Sequence, residues 1–192
     1  MRRVSMIAVL MIMVSLSSFP ALAQDKAETA AECGMKFAQP VLISSAGQSA
    51  DVKLVGMMAK RMKLKAEVKV MAKPEDLEGM KTLIVVPGFS AKGLGAAGIS
   101  QKDEMERVVA LVEAANKQEI PILMIHIGGN ARRKGQSDAF NELVAKNSKY
   151  MIVVEQGNED GFFTELSKET GVKLETAEKI PGTMKPMKNL FE

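Results

Sequence analysis

An α/β fold is what this sequence predicts: one three-layer domain built on a mainly parallel sheet of five or six strands. Three observations carry it. Short continuous apolar runs (Val41-Leu42-Ile43, Thr82 to Val86, Pro121 to Ile127, Met151 to Val154) read as strands buried on both faces. Between them lie stretches with apolar residues at helical spacing, so that strands and helices alternate. Each run also ends in a polar, glycine-bearing loop: Ser44 to Ser49, Gly88 to Gly98, Gly128 to Gly135, and Gly157 to Gly161. Parallel strands need crossovers, and crossovers bring all such loops to one edge of the sheet, where ligands bind.

In chain order, residues 1–23 read as a signal peptide. Arg2 and Arg3 form a basic start, Met6 to Phe19 an apolar stretch, and Ala21-Leu22-Ala23 a cleavage pattern. The apolar stretch is short for a membrane span, which takes about 20 residues. The expectation is an exported protein of the bacterial periplasm or cell exterior, with no membrane span after cleavage. Residues 24–38, rich in alanine and charge, form a leader, 39–179 the α/β domain, and 180–192 a tail bearing Pro, Lys and Met.

Within the domain, Val41 opens the first strand. Ser49 can cap a helix running to about Met62, with Val55, Met58, Ala59 and Met62 on one face. Glu67 to Met71 alternates polar and apolar, as a half-buried strand does, and Pro74 to Gly79 is at most a helical turn. Thr82 to Val86 is the strongest strand, closed by Pro87-Gly88. A long loop is expected from there to Ser100, where Ser100-Gln101-Lys102-Asp103 fits a capping box. The helix that follows carries Met105, Val108, Val109, Val112 and Ala115. Pro121 to Ile127 is a strand, Ser137 to about Lys146 a helix, and Met151 to Val154 a strand. Asp160 can cap a helix with Phe163 and Leu166, stopped by Gly171, and Val172 to Thr176 adds an edge strand. The expected order is flavodoxin-like and Rossmann-like, 2-1-3-4-5 with a sixth strand at the edge. It puts the topological switch between the first and third strands.

Composition removes several function classes. Residues 1–23 hold two arginines and no acid, so much of the +3 formal charge belongs to the signal. A near-neutral remainder with no Trp and one Tyr lacks the basic, aromatic footprint of a nucleic-acid binder. Cys33 is the single cysteine, which leaves no internal disulfide. One His and one Cys cannot build a usual zinc shell, and methionines such as Met57, Met58, Met62, Met184 and Met187 are core filler sooner than copper ligands. No metal and no cofactor is expected.

The candidate site residues sit in the strand-end loops. Ser45, Gly47, Gln48 and Ser49 lead into a helix N-terminus, whose free N–H groups favour an anion. Gly88, Ser90, Lys92 and Gly93 follow the third strand, and Gly93 to Gly98 spells G-x-G-x-x-G. A dinucleotide fingerprint follows its strand at once and opens a helix, and this one does neither. Gly88-Phe89-Ser90-Ala91-Lys92 departs from the nucleophile elbow G-x-S-x-G in having Lys92 at the second glycine. His126, the only histidine, ends the next strand, and Arg132 and Arg133 can fork onto carboxylate or phosphate. Either of the two arginines can be the one facing the crevice.

Pro40 to Ser49, Lys92 to Gly98, and His126-Ile127-Gly128-Gly129 with Ala131-Arg132-Arg133 resemble an uncharacterised family of exported bacterial α/β proteins, catalogued as a domain of unknown function. The likeness runs from about Pro40 to Lys179. It implies a small secreted α/β domain and supplies no activity. The residues themselves lead to a binder of a small, anionic molecule at the C-terminal edge of the sheet. The alternatives are a hydrolase or transferase using Ser90 with Lys92 or His126, and a non-catalytic module for a protein partner in the envelope.

Overall fold

The computed structural model describes residues 34–192. The signal-peptide reading, most of the leader and Cys33 lie outside the described residues. Six strands, β1 (Val41–Ala46), β2 (Ala66–Val68), β3 (Thr82–Pro87), β4 (Ile122–His126), β5 (Tyr150–Val154) and β6 (Lys173–Ala177), form one sheet in the order β2-β1-β3-β4-β5-β6. Every neighbouring pair is parallel. The predicted α/β class and strand order are therefore those of the molecule. β2 is shorter than the alternation of Glu67 to Met71 suggests.

Side chains of the central strands are buried on both faces, which is why they read as unbroken apolar runs. Alternation along each strand sorts them. Leu42, Leu83, Val85, Met124, Met151 and Val153 face helices α3 (Gln101–Lys117), α4 (Gln136–Asn147) and α5 (Phe162–Thr170). Val41, Ile43, Ile84, Val86, Leu123, Ile125 and Ile152 face α1 (Asp51–Arg61) and α6 (Met184–Phe191). Helix α2 (Ala91–Ala97) lies instead above the C-terminal edge, beside the loops that follow β1 and β3.

Three segments differ from the sequence reading. The loop expected between β3 and Ser100 contains α2, capped by Ser90, whose Oγ accepts a hydrogen bond from the Gly93 N–H at 3.1 Å, and ended by Gly98 in a left-handed conformation. Two glycines in seven residues disguised it, since each costs about 1 kcal/mol against alanine in a helix. The expected tail is a 3-10 turn, Ile180–Thr183, followed by α6, with Met187 and Leu190 buried in the core. Pro186 stands in the first turn of α6, where a missing N–H costs no intrahelical bond. At α5, Asn158 Oδ1 takes the N–H groups of Phe163 (2.8 Å) and Thr164 (3.2 Å), while Asp160 holds only that of Phe162 (3.3 Å). Ser100 and Asp103 form the expected capping box on α3. Among the described residues no helix is long and apolar enough to cross a membrane.

Candidate functional site

The loops after β1 and β3 are fastened to each other. Gly88 N donates to Ala46 O and Ser90 N to Gly47 O, both at 2.8 Å, and Gln48 and Phe89 form an antiparallel bridge. The approach is close enough that a Cβ on Gly47 would sit 2.7 Å from the Gly88 carbonyl oxygen, and Gly47 also has φ +100°. Gly93 has the same task one turn into α2, where its bare Cα lies against the Gln48 carbonyl. Gly98 ends the helix, and a Cβ on Gly95 would meet nothing. Packing and capping thus account for Gly93 and Gly98, and neither requires Gly95.

Beneath these loops, Glu104 of α3 is fully buried. It accepts from Gly47 N at 2.8 Å and takes a forked pair of bonds from Arg107, Nε at 2.8 Å and Nη2 at 2.7 Å. Arg107 also donates to the carbonyls of Ala72 and Ser45, each at 2.6 Å. One ion pair therefore holds the ends of β1 and of the segment after β2.

From the third loop comes Arg132, on a 3-10 turn at Gly129–Arg132. Its Nε donates to Ser49 Oγ at 3.1 Å and lies 3.6 Å from Asp51 Oδ2, and its Nη1 donates to Phe89 O at 3.0 Å. Ser49 Oγ in turn donates to Asp51 Oδ2 at 2.6 Å. A single guanidinium therefore ties the loops after β1, β3 and β4 together while leaving part of itself open to solvent.

Between the start of α1, the segment after β2, helix α2 and Arg132 lies a cleft of about 560 Å³. Gln48, Ser49, Ser90, Lys92, Gly93 and Arg132, all named from the sequence, line it together. Gly47 and Gly88 form the backbone behind it, and Ser45 is buried in β1, its Oγ without a hydrogen bond among the described residues. Ala50, Val52, Lys53, Val70, Met71, Ala96 and Ala97 complete the lining and were missed. The strand order held the missing signal, because it seats the segment after β2 directly beside the loop after β1.

The cleft is charged one way. Lys53, Lys92 and Arg132 line it, and among the described residues no carboxylate does. Among the described residues neither lysine makes an ion pair, while Arg132 has Asp51 Oδ2 3.6 Å from its Nε. At the wall, Gln48 is buried and its amide nitrogen lacks a partner among the described residues. Burying such a donor unpaired costs about 1–3 kcal/mol.

His126 and Arg133 lie elsewhere. Arg133 is enclosed, with Nε 2.8 Å from Asp138, Nη1 2.9 Å from Asp160 and on Gly157 O, and its guanidinium 4.2 Å above the Phe162 ring. His126 is fully buried at the end of β4, its ring 4.9 Å from that of Phe163. Its Nε2 is 3.1 Å from Arg132 O, a carbonyl that can only accept, so the proton sits on Nε2 and Nδ1 is bare. Burial, aided by the Arg133 charge and opposed by the Arg132 carbonyl and Asp51, holds the imidazole below its usual range.

The pH consequence follows from that direction. A histidine harder to protonate when folded gives stability that is full above the unfolded value near 6.5 and lost as pH falls below it. Unfolding free energy is expected to drop from pH 6.5 downward with a slope of at most about 1.4 kcal/mol per pH unit, the limit for one group. In His126→Gln the same window should be flat by chemical denaturation. An equal slope in the variant would assign the titration to another group.

Of the methionines weighed as thioether ligands, Met58 and Met187 are packed in the core. Among the described residues no group of three His, Cys, Asp or Glu side chains is placed to hold a metal.

The profile of a family described as Domain of unknown function (DUF6305) matches residues 38–191, and the chain belongs to that family. No curated protein matches at a significant level. Among solved structures, the crystal structure of AlinE4, an SGNH-hydrolase family esterase, is 15% identical, with 79% of this chain and 78% of that chain covered and a TM-score of 0.28. A mutant of the same esterase is similar at 12% identity and a TM-score of 0.29. Likeness that distant carries no functional argument.

Proposed function

We propose that this DUF6305 chain is an exported binding protein, and that its ligand is a small anion held in the cleft between the β1 and β3 loops. The observation that carries the reading is the one-sided charge of the lining. Lys53, Lys92 and Arg132 line a cleft that no carboxylate among the described residues lines, and the two lysines have no counter-ion among those residues. The start of α1 adds the partial positive charge of a helix N-terminus. Export rests on the N-terminal pattern of Arg2, Arg3 and Ala21-Leu22-Ala23.

Ser90 catalysis has less support. The Ser90 hydroxyl receives the Gly93 N–H as a helix cap, and His126 is held on the Arg132 carbonyl, so no base is engaged with the hydroxyl.

A thermal-shift panel of carboxylates, phosphates, sulfate and neutral sugars tests the proposal. An anion at a hundredfold excess over its Kd should raise stability by about 2.7 kcal/mol. The rise should shrink in Lys53→Ala/Lys92→Ala, which alters two exposed side chains and leaves the loop contacts of Arg132 in place. No response to any anion, or an undiminished response in the double variant, would overturn it. The first result would turn attention to a protein partner.

A further inference from the structure

The cleft has two unlike ends. At one, Arg132 reaches in from beyond β4 to meet Ser49, with Ser90 beside it on the same wall. At the other, Val70 and Met71 follow β2, and Ala96 and Ala97 present the side of α2. Because the sheet runs β2-β1-β3-β4, the polar end lies over β1 and β3 and the apolar end over β2. Adjacent strands are about 4.8 Å apart, so the cleft spans roughly two spacings, about 10 Å. Ala96 and Met71 are both exposed, so apolar surface at that end is open to a ligand.

We propose that the ligand is an amphipathic carboxylate, a single acid group joined to an unbranched or lightly branched apolar chain. This rests on the anion-binding reading of the same cleft and narrows it. The carboxylate would take the Arg132 end, accepting from the free guanidinium N–H and from the Ser90 hydroxyl, with Lys92 and Lys53 supplying long-range attraction. The chain would run along Gly93, Ala96 and Ala97, which share one side of α2 at i, i+3 and i+4, and end against Val70 and Met71. Small residues on that helix leave the groove open, and Gly93 cannot be larger because Gln48 lies against it. At a span of about 10 Å the chain would be of medium length, about six to ten carbons. A compact dianion such as phosphate would leave the apolar half in water.

Isothermal titration of the purified protein with acetate, butyrate, hexanoate, octanoate and decanoate, each kept below micelle formation, tests the assignment against 1-octanol and inorganic phosphate. Affinity should rise about fourfold per added methylene and level off once the chain reaches the end of the cleft. Octanol should bind at least tenfold more weakly than octanoate. Ala96→Glu sets a carboxylate in the groove from an exposed helical position, and it should abolish octanoate binding. Met71→Ser should flatten the dependence on chain length while sparing the short acids.

Binding of acetate and phosphate with no gain from a longer chain would overturn the amphipathic assignment and leave the anion reading standing. Octanol binding as tightly as octanoate would overturn both, as would the absence of binding by every probe.

Discussion

Replacing Glu104 with alanine is expected to destabilise the fold by about 3–5 kcal/mol, because it strands a buried positive charge. The Glu104 side chain is fully buried and that of Arg107 is 10% exposed, so water cannot take over for either. Alanine removes both oxygens on which Arg107 is forked and the acceptor of the Gly47 N–H. What remains is a guanidinium held by two carbonyls, Ser45 and Ala72, without a counter-charge. Urea unfolding should show the midpoint falling with an unchanged slope.

One double variant separates charge from packing. In Glu104→Leu/Arg107→Leu both charges leave together, and much of the lost stability should return, since buried pairs are often no better than apolar side chains of similar volume. Ligand binding should not return with it. The Gly47 N–H would still lack its acceptor, the Ser45 and Ala72 carbonyls would lose Arg107, and the loop that carries Gln48 and Ser49 would lose its anchor. A loss below 1 kcal/mol in Glu104→Ala would refute the claim that this pair is the fastening of the site loops.

The strands were legible because a parallel sheet covered on both faces demands unbroken apolar runs, and Thr82 to Val86 has no other use. Order followed from alternation with helices, and order put the loops of β1 and β3 side by side. Glycine was harder to read. Gly93 and Gly98 looked like loop residues, yet one lets α2 approach Gln48 and the other ends that helix. A glycine required by a neighbour's backbone looks the same in sequence as one required by a turn. α6 was hidden likewise, since Pro186 breaks a helix anywhere except in the first turn it occupies. Glu104 gave no warning at all, being one acid among several in an amphipathic helix. Its burial depends on Gly47 and Arg107 meeting it, and Gly47 is brought there only by the fold.

Arg132 and Arg133 show the same limit most sharply, and the second large effect concerns Arg133. Arg132 ends the 3-10 turn and Arg133 steps into extended backbone, so the two side chains part, and the sequence could present both as candidates without choosing. Contacts decide: Arg132 reaches the cleft, and Arg133 turns inward to Asp138, Asp160 and the Gly157 carbonyl, its side chain 3% exposed. Arg133→Met keeps the length and the apolar stem and removes five N–H donors. The expected loss is about 2–3 kcal/mol, from the orphaned Gly157 carbonyl and the unpaired Asp138. The Asp160 contact adds nothing to that figure, because its carboxylate is 46% exposed and rehydrates.

The acid limb of the stability curve offers a separate readout. For Asp138, burial favours the protonated form, but the Arg133 and Asn141 hydrogen bonds outweigh it and lower the carboxyl below its usual range. Asp160 is lowered chiefly by its hydrogen bond to Arg133. Depressed carboxyls contribute stability that is full above about pH 4 and lost as pH falls through their folded values. Wild type should therefore lose stability steeply below pH 4, and Arg133→Met should lose less over the same interval. If Arg133 instead served the ligand directly, Arg133→Met would abolish anion binding while leaving both the neutral-pH stability and the acid limb untouched. The inward geometry requires the opposite: the two stability readouts move, and binding weakens only as far as the turn carrying Arg132 loosens.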